Sequence, residues 1–360
     1  MVYNYYFYKF SVIKWYFIKG FFESDTTKIH HVSSLEDALK KNLKENATVF
    51  FWGKKVDLEL HKYAKQNSIN VHYIEDGFIR SVGLGSSLSR PLSIVSDSRG
   101  IYFDPTHESD LEFLLSNHDF DEKILEESKE MIALVKKLKI SKYNSQDDIP
   151  VEFTNTPAQK IILIPGQVDD DMSVKYGAPG MSNLSLIQKV KAKRENEYLV
   201  YKPHPDVLSG NRIGELDEIE VLKYVDQIVT NVDIDTMINL SDEVHTMTSL
   251  VGFDALVRNK KVFTYGIPFY AGWGLTEDEK TSTRRTRKLT LQELAAAVYI
   301  LYPMYLNPYT NKLSNAKDIA NVLKKDKDQF TNNKIFRYSK KSLGYILPKI
   351  RNVIKFLLRA

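Results

Sequence analysis

The chain has 360 residues, 43% of them apolar and 27% charged, with a formal net charge of +4 and no cysteine. Such a length divides by default into two domains, and the lack of cysteine excludes disulfides, zinc–thiolate sites and cysteine nucleophiles. No run of about 18 uncharged apolar residues marks a spanning helix, and Lys9, Lys14 and Lys19 break the apolar N-terminus with no small-residue cleavage site after it, so a cytoplasmic protein is expected.

Residues 1–22 hold no acid and are rich in Tyr, Phe and Trp15. We read 1–28 as an aromatic, basic N-terminal segment. From residue 29 onward apolar, β-branched runs alternate with helical patterns. Thr48–Trp52 reads as a buried strand, Asp57–Gln66 as a helix and Asn70–Ile74 as the next strand, with helices at 108–117 and 122–139. This alternation predicts parallel α/β layers, a domain spanning 29–150. Residues 140–158 are polar and contain Pro150 and Pro157, the composition of a linker.

A second α/β series fills 158–300. Strands are predicted at Lys160–Ile164, Glu197–Tyr201, Gln227–Val229, Glu243–Thr246 and Lys261–Tyr265, and helices at Leu184–Arg194 and Ser249–Arg258. After Trp273 the pattern is helical through Leu291–Leu301 and Ala316–Leu323, so 301–330 reads as a helical return segment. Residues 331–360 carry eight Lys or Arg and no acid, with Ile346, Ile350, Val353, Ile354, Leu357 and Leu358 near helical spacing. A basic amphipathic tail of this kind can lie on an anionic membrane surface or dock on the body. No nucleic-acid motif accompanies the charge. Two successive α/β domains with a central cleft form the GT-B-type architecture, two Rossmann-like domains whose ligands sit at the carboxyl ends of the strands.

Five loops that follow predicted strands can carry chemistry. Glu75-Asp76-Gly77 places two acids at a strand end. One can act as acid or base if burial raises its pKa, and Asp-Gly is equally an ordinary turn. The nearby Gly83-Leu84-Gly85 lacks the third glycine of a dinucleotide fingerprint. Pro165-Gly166-Gln167-Val168-Asp169-Asp170-Asp171 offers a close backbone approach at glycine and three aspartates, which suit a catalytic carboxylate, a divalent metal or a solvated cap. Lys202-Pro203-His204-Pro205 holds an imidazole between two prolines beside a cation, a setting for a phosphate. Thr246-Met247-Thr248-Ser249 precedes a helix; Thr248 or Ser249 can cap it, and the same geometry can face a phosphate. Gly266–Leu275, rich in glycine and aromatics, either walls a base or sugar pocket or packs between the domains.

Taken together these motifs resemble the KpsC/LipB capsule polysaccharide biosynthesis family. The resemblance is carried by Glu75–Gly85, Pro165–Asp171, Tyr201–Val207, His245–Leu250, Pro268–Leu275 and Tyr302–Tyr305, in the family's order across roughly residues 45–310. It implies a retaining β-Kdo glycosyltransferase that uses CMP-Kdo, the nucleotide-activated form of an acidic ulosonic sugar, with no metal and no further cofactor. The first domain would then be the acceptor side and the second the nucleotide-sugar side. The resemblance assigns the nucleophile to Asp171, or to Asp170, and the acceptor-proton or leaving-group side to Glu75 or Asp76. Lys202, His204, Pro205, Thr248, Ser249, Gly166 and Gln167 become CMP-Kdo contacts, with Lys202 or Arg80 available to the Kdo carboxylate. It further implies a lipid-linked or glycan acceptor, capsule assembly and export machinery as partners, and a place on the cytoplasmic face of the inner membrane. The best-known members carry two such modules, whereas this sequence carries one. The same fold serving another nucleotide sugar, or a non-catalytic assembly factor, are the competing readings.

Overall fold

A computed structural model describes residues 2–83, 89–142, 150–154, 156–208 and 214–332. The first domain begins with five strands: β1 (Tyr3–Tyr8), β2 (Thr27–Val32), β3 (Ala47–Trp52), β4 (Asn70–Asp76) and β5 (Ser93–Asp97). The second contributes β6 (Ile161–Pro165), β7 (Tyr198–Lys202), β8 (Gln227–Ile228), β9 (Glu243–Thr246), β10 (Lys261–Thr264) and β11 (Glu277–Asp278). The chain then returns to the first domain with β12 (Pro303–Asn307) and β13 (Lys312–Ser314) before the last helix, Ala316–Asn332.

The second sheet is parallel throughout and runs β8-β7-β6-β9-β10-β11. Its chain order is that of a doubly wound nucleotide-binding sheet, reversing between β6 and β9. The first sheet runs β2-β1-β3-β4-β5-β12-β13. It is parallel from β2 to β4 and reverses order between β1 and β3; β5, β12 and β13 then add antiparallel neighbours. Two Rossmann-like α/β domains of the GT-B type are therefore the observed fold class.

Both sheets are covered on both faces, which is why their strands read as continuous apolar runs rather than alternating ones. In β1 and β3, Tyr6, Val49 and Phe51 enter the core on one face, while Phe7 and Phe50 enter the other. In the second sheet Ile162, Ile164 and Leu199 point one way, and Leu163, Val200 and Val244 the other. The latter face is continuous with Phe78, Ile79 and Val95 of the first domain, so the domains share a core. Glu112, on the helix Asp110–Asn117, adds a buried ionic link: its carboxylate receives Arg284 at 2.6 Å and Arg285 at 3.1 Å from the second domain.

Two expected boundaries change. Residues 1–28 are not an appendage, because β1 is an interior strand between β3 and β2. Its Tyr6, Phe7 and Tyr8 are core residues, and the interspersed lysines sit after the strand rather than in it. The segment 301–330 is not wholly helical either: β12 and β13 form a hairpin that extends the first sheet. The basic tail expected at 331–360 lies, past the end of the last helix, outside the described residues, as does Leu84-Gly85 and most of the linker. Among the described residues no helix is long and apolar enough to cross a membrane.

Candidate active site

Each sheet has a crevice where its strand order reverses, outside the carboxyl ends of the strands. In the first domain that crevice lies above β1, β3 and the neighbouring β4. Glu75 and Asp76 end β4, so both acids belong to the strand rather than to a turn after it. Gly53 follows β3 with φ +49°, and a β-carbon there would stand 3.0 Å from Glu75 Oε2. Glycine at this position lets the β3 loop close onto the acid. The other oxygen, Glu75 Oε1, accepts the Asp76 amide at 3.0 Å.

The two acids are shifted in opposite directions. Burial raises the pKa of Glu75, and the charge of Asp76 raises it further against the opposing pull of Lys14 and Lys142. Burial also pushes Asp76 up, but Arg80, Lys142 and Lys14 outweigh it and leave its pKa below the usual carboxylate value. Arg80 Nε meets Asp76 Oδ2 at 2.7 Å, and that arginine is itself buried. Divergent environments thus push the pKa values of these adjacent carboxyls apart, Glu75 up and Asp76 down.

In the second domain the crevice lies between β6 and β9, and a neutral hydrogen-bond network fills it. Gln167 is buried just past β6. Its side-chain amide donates to Thr248 Oγ1 at 3.0 Å and accepts the Thr248 backbone N–H at 2.9 Å. Thr248 Oγ1 donates in turn to Ser173 Oγ at 3.2 Å, and Ser173 Oγ donates to Asp171 Oδ1 at 2.7 Å. Asp171 Oδ1 also accepts the Ser173 N–H at 2.8 Å, capping the helix Met172–Gly177. One oxygen of Asp171 is thus fixed by the cap, while Oδ2 makes no hydrogen bond among the described residues.

Asp169 takes a different direction, accepting from Asn183 Nδ2 at 3.1 Å, and Asp170 is exposed. The three aspartates therefore splay apart. No group of three or more His, Asp or Glu among the described residues converges as a metal cage.

Tyr102 borders the first crevice. Its hydroxyl donates to the Asp76 carbonyl at 3.5 Å. Burial raises its pKa, and Glu75, Asp76 and Asp171 all add to that rise. The phenol therefore stands within electrostatic reach of both acid runs, one from each domain.

The remaining expected residues separate into two groups. A β-carbon on Gly166 would stand 2.6 Å from the Tyr201 hydroxyl and 3.2 Å from Pro203 Cα, so the Gly166-Gln167 and Pro203-His204 loops touch there. His204 Nδ1 accepts the Asp206 N–H at 3.1 Å, which leaves the ring proton on Nε2. Pro205 opens the short helix Pro205–Leu208, where its missing N–H carries no penalty. Ser249 caps Leu250–Val257 by accepting from Val251 N–H at 3.2 Å.

Lys202 does not join this group. It is buried, burial lowers its pKa to about 8, and its ammonium donates to the Thr230 carbonyl at 3.2 Å. That contact ties the end of β7 to the loop after β8. The Gly266–Leu275 loop is likewise packed between the domains. Trp273 is fully buried and donates to the Phe269 carbonyl at 2.9 Å, while Phe269 lies 5.0 Å from Phe78 and 5.7 Å from Tyr102 of the first domain.

Sequence reasoning missed Ser173 and Asn183. An Asp-x-Ser cap signal precedes the first, whereas nothing local distinguishes a buried helical Asn183 from a surface one.

Comparison with known proteins follows the same residues. The family described as "Capsule polysaccharide biosynthesis protein" matches residues 47–305. The chain is 42% identical over 317 residues to the capsule polysaccharide modification protein LipA of Neisseria meningitidis serogroup A, covering 88% of this chain and 44% of LipA. It is 39% identical over 258 residues to the lipopolysaccharide-processing protein LpsZ of Rhizobium meliloti, covering 71% of this chain and 59% of LpsZ. It spans less than half the length of LipA. Two solved structures are similar over nearly their whole length, both of Thermosulfurimonas dismutans KpsC. The beta Kdo 2,7 transferase matches with a TM-score of 0.73 at 39% identity, covering 89% of this chain and 99% of the other. The beta Kdo 2,4 transferase matches with a TM-score of 0.76 at 31% identity, covering 88% and 97%.

Proposed function

Because the chain belongs to the capsule polysaccharide biosynthesis protein family, we propose that it is a glycosyltransferase moving Kdo from CMP-Kdo to a glycan or glycolipid acceptor with retention. One observation carries this reading: the acids Glu75 and Asp76 end β4, and Asp171 caps the helix that follows β6, so both acid runs stand at the carboxyl ends of their sheets, where ligands of this fold bind. They do so in a chain similar over most of its length to two Kdo transferases.

Retention follows from two inversions. In the first, Asp171 Oδ2 attacks the anomeric carbon, the bond to the CMP phosphate oxygen breaks, and CMP departs with the electron pair. Asp171 is the chosen nucleophile because its cap fixes Oδ1 and leaves Oδ2 to react; Asp170 is the second choice. In the next step an acceptor hydroxyl attacks the same carbon, Glu75 takes its proton, and the Asp171 ester bond breaks. A raised pKa suits Glu75 to that exchange. Asp76, paired with Arg80, holds the local field. His204 Nε2–H and the helix N-terminus at Ser249 would meet the CMP phosphate, with Gly166, Gln167, Pro205 and Thr248 shaping the loops around it. A basic tail on the inner-membrane face would bring the enzyme to a lipid-linked acceptor and to the capsule assembly machinery.

Mass spectrometry of the protein incubated with CMP-Kdo tests this directly. The expected result is a one-Kdo adduct on the peptide that contains Asp171. An unmodified protein that transfers no Kdo, and is stabilised against heat by UDP but not by CMP, would overturn it.

A further inference from the structure

The helix Val12–Ile18 follows β1 and carries Lys14 over Trp52, the last residue of β3. The ammonium stands 3.3 Å from the indole centroid. This is the mouth of the first sheet's crevice, since β1 and β3 are the strands between which its order reverses. Lys14 shares its helix face with the buried Ile18, whereas Val12 and Tyr16 are exposed. A lysine would ordinarily occupy the exposed face.

Two cations bear on it: Arg80, which pairs with Asp76, and Lys55, which is exposed. The Lys14 ammonium makes no hydrogen bond and no ion pair among the described residues. Burial lowers its pKa to about 8, against the pull of Glu75 and Asp76, with Lys55 and Arg80 pushing further down. A half-buried ammonium lacking an anion is costly unless something supplies one. The aromatic face holds the charge in place without neutralising it.

We propose that Lys14 is a substrate-binding residue whose ammonium takes an anionic oxygen group of a bound substrate. The group is either the carboxylate of the donor's acidic sugar or a phosphate of a lipid-linked acceptor. This inference rests on the glycosyltransferase reading above. It adds a residue outside the 47–305 family match, and it supplies the cation that Arg80 and Lys202, both engaged elsewhere, do not.

The test compares Lys14→Met, which keeps the stem on Trp52, with Lys14→Arg, which keeps the charge. Calorimetry on the Asp171→Asn background, which forms no adduct, gives Kd for CMP-Kdo and for CMP. Steady-state kinetics gives KM for one Kdo-glycan acceptor in phospholipid-linked and neutral alkyl-linked forms. For a donor carboxylate, Lys14→Met raises the Kd of CMP-Kdo about tenfold, leaves that of CMP unchanged, and Lys14→Arg recovers it. For an acceptor phosphate, the KM of the phospholipid-linked form rises about tenfold and that of the neutral form does not. Active wild-type protein with unchanged constants in Lys14→Met overturns this inference alone. So does equal weakening of CMP and CMP-Kdo, or a Lys14→Arg variant that recovers nothing and melts lower, since each marks a packing role. A wild-type protein that binds neither CMP nor CMP-Kdo overturns the functional reading and this inference with it.

Discussion

The two crevices solve different problems with similar topology. The second domain's is filled by neutral groups that satisfy one another: Gln167, Thr248 and Ser173 form a chain that ends on one oxygen of Asp171. The first domain's is charged and incompletely paired. Asp76 has Arg80, but Glu75 lies beside a second acid, and among the described residues the Lys14 ammonium has only an aromatic face. Satisfied polar networks rigidify, whereas perturbed and unpaired charges mark chemistry. On the proposed reaction, the second domain's crevice is a scaffold that would aim one reactive atom, and the first domain's is where charge and protons would change hands.

The sharpest way to break this contrast is Asp171→Asn. Asparagine caps a helix about as well as aspartate, so the network and the melting temperature should persist. Kdo transfer should fall about a thousandfold or more, and the covalent adduct should vanish. Activity above a tenth of wild type would place the nucleophile elsewhere.

Glu75→Gln addresses the other crevice. Transfer should fall about a hundredfold, and the rise of rate with pH through the raised Glu75 pKa should flatten, because only the ionised carboxylate accepts a proton. Stability moves the opposite way. Since burial raises the folded-state pKa, the folded protein binds more protons than the unfolded one between the two values, and stability declines as pH rises through that window. The neutral amide removes the decline. Thermal melts should therefore show Glu75→Gln at least as stable as wild type at neutral pH, and a variant that melts lower there would contradict the assignment of Glu75 as a strained acid.

Thr248→Val tests the scaffold. It keeps the shape and the backbone N–H to Gln167, but strands the Gln167 amide and removes the donor to Ser173. The expected loss is about 3 kcal/mol, read by denaturant unfolding, with weaker CMP binding. An unchanged midpoint would show that the network does not hold the loops.

The strand-end loops were legible in the sequence because parallel strands buried on both faces read as apolar runs, and the polar residues that interrupt them mark the crevice. Glu75, Asp76, Gln167, Asp171, His204 and Thr248 were found this way. What escaped depended on distant partners. Tyr3–Tyr8 read as part of an aromatic, basic segment outside the first domain, because nothing local reports that it pairs between β3 and β2. The β12–β13 hairpin was hidden behind the helical pattern of Leu291–Leu301. Lys202 read as an available cation since nothing local reports that Thr230 receives its ammonium. Lys14 read as one of several lysines breaking an apolar run; its significance appears only when β1 is placed beside β3.

The smallest expected effect lies where the scaffold's two loops touch. Gly166→Ala puts a methyl 2.6 Å from the Tyr201 hydroxyl and 3.2 Å from Pro203 Cα. The proline backbone cannot yield easily, but the tyrosine hydroxyl can be removed. Gly166→Ala alone should lose about 1 kcal/mol and weaken CMP binding by shifting the His204 loop. Adding Tyr201→Phe removes the hydroxyl but leaves the ring carbon Cζ at 3.1 Å, so it should recover part of the stability. If the double variant stays as unstable as Gly166→Ala, the strain lies against the Tyr201 ring and Pro203 rather than the hydroxyl, and the close approach of the two loops at Gly166 sets their spacing.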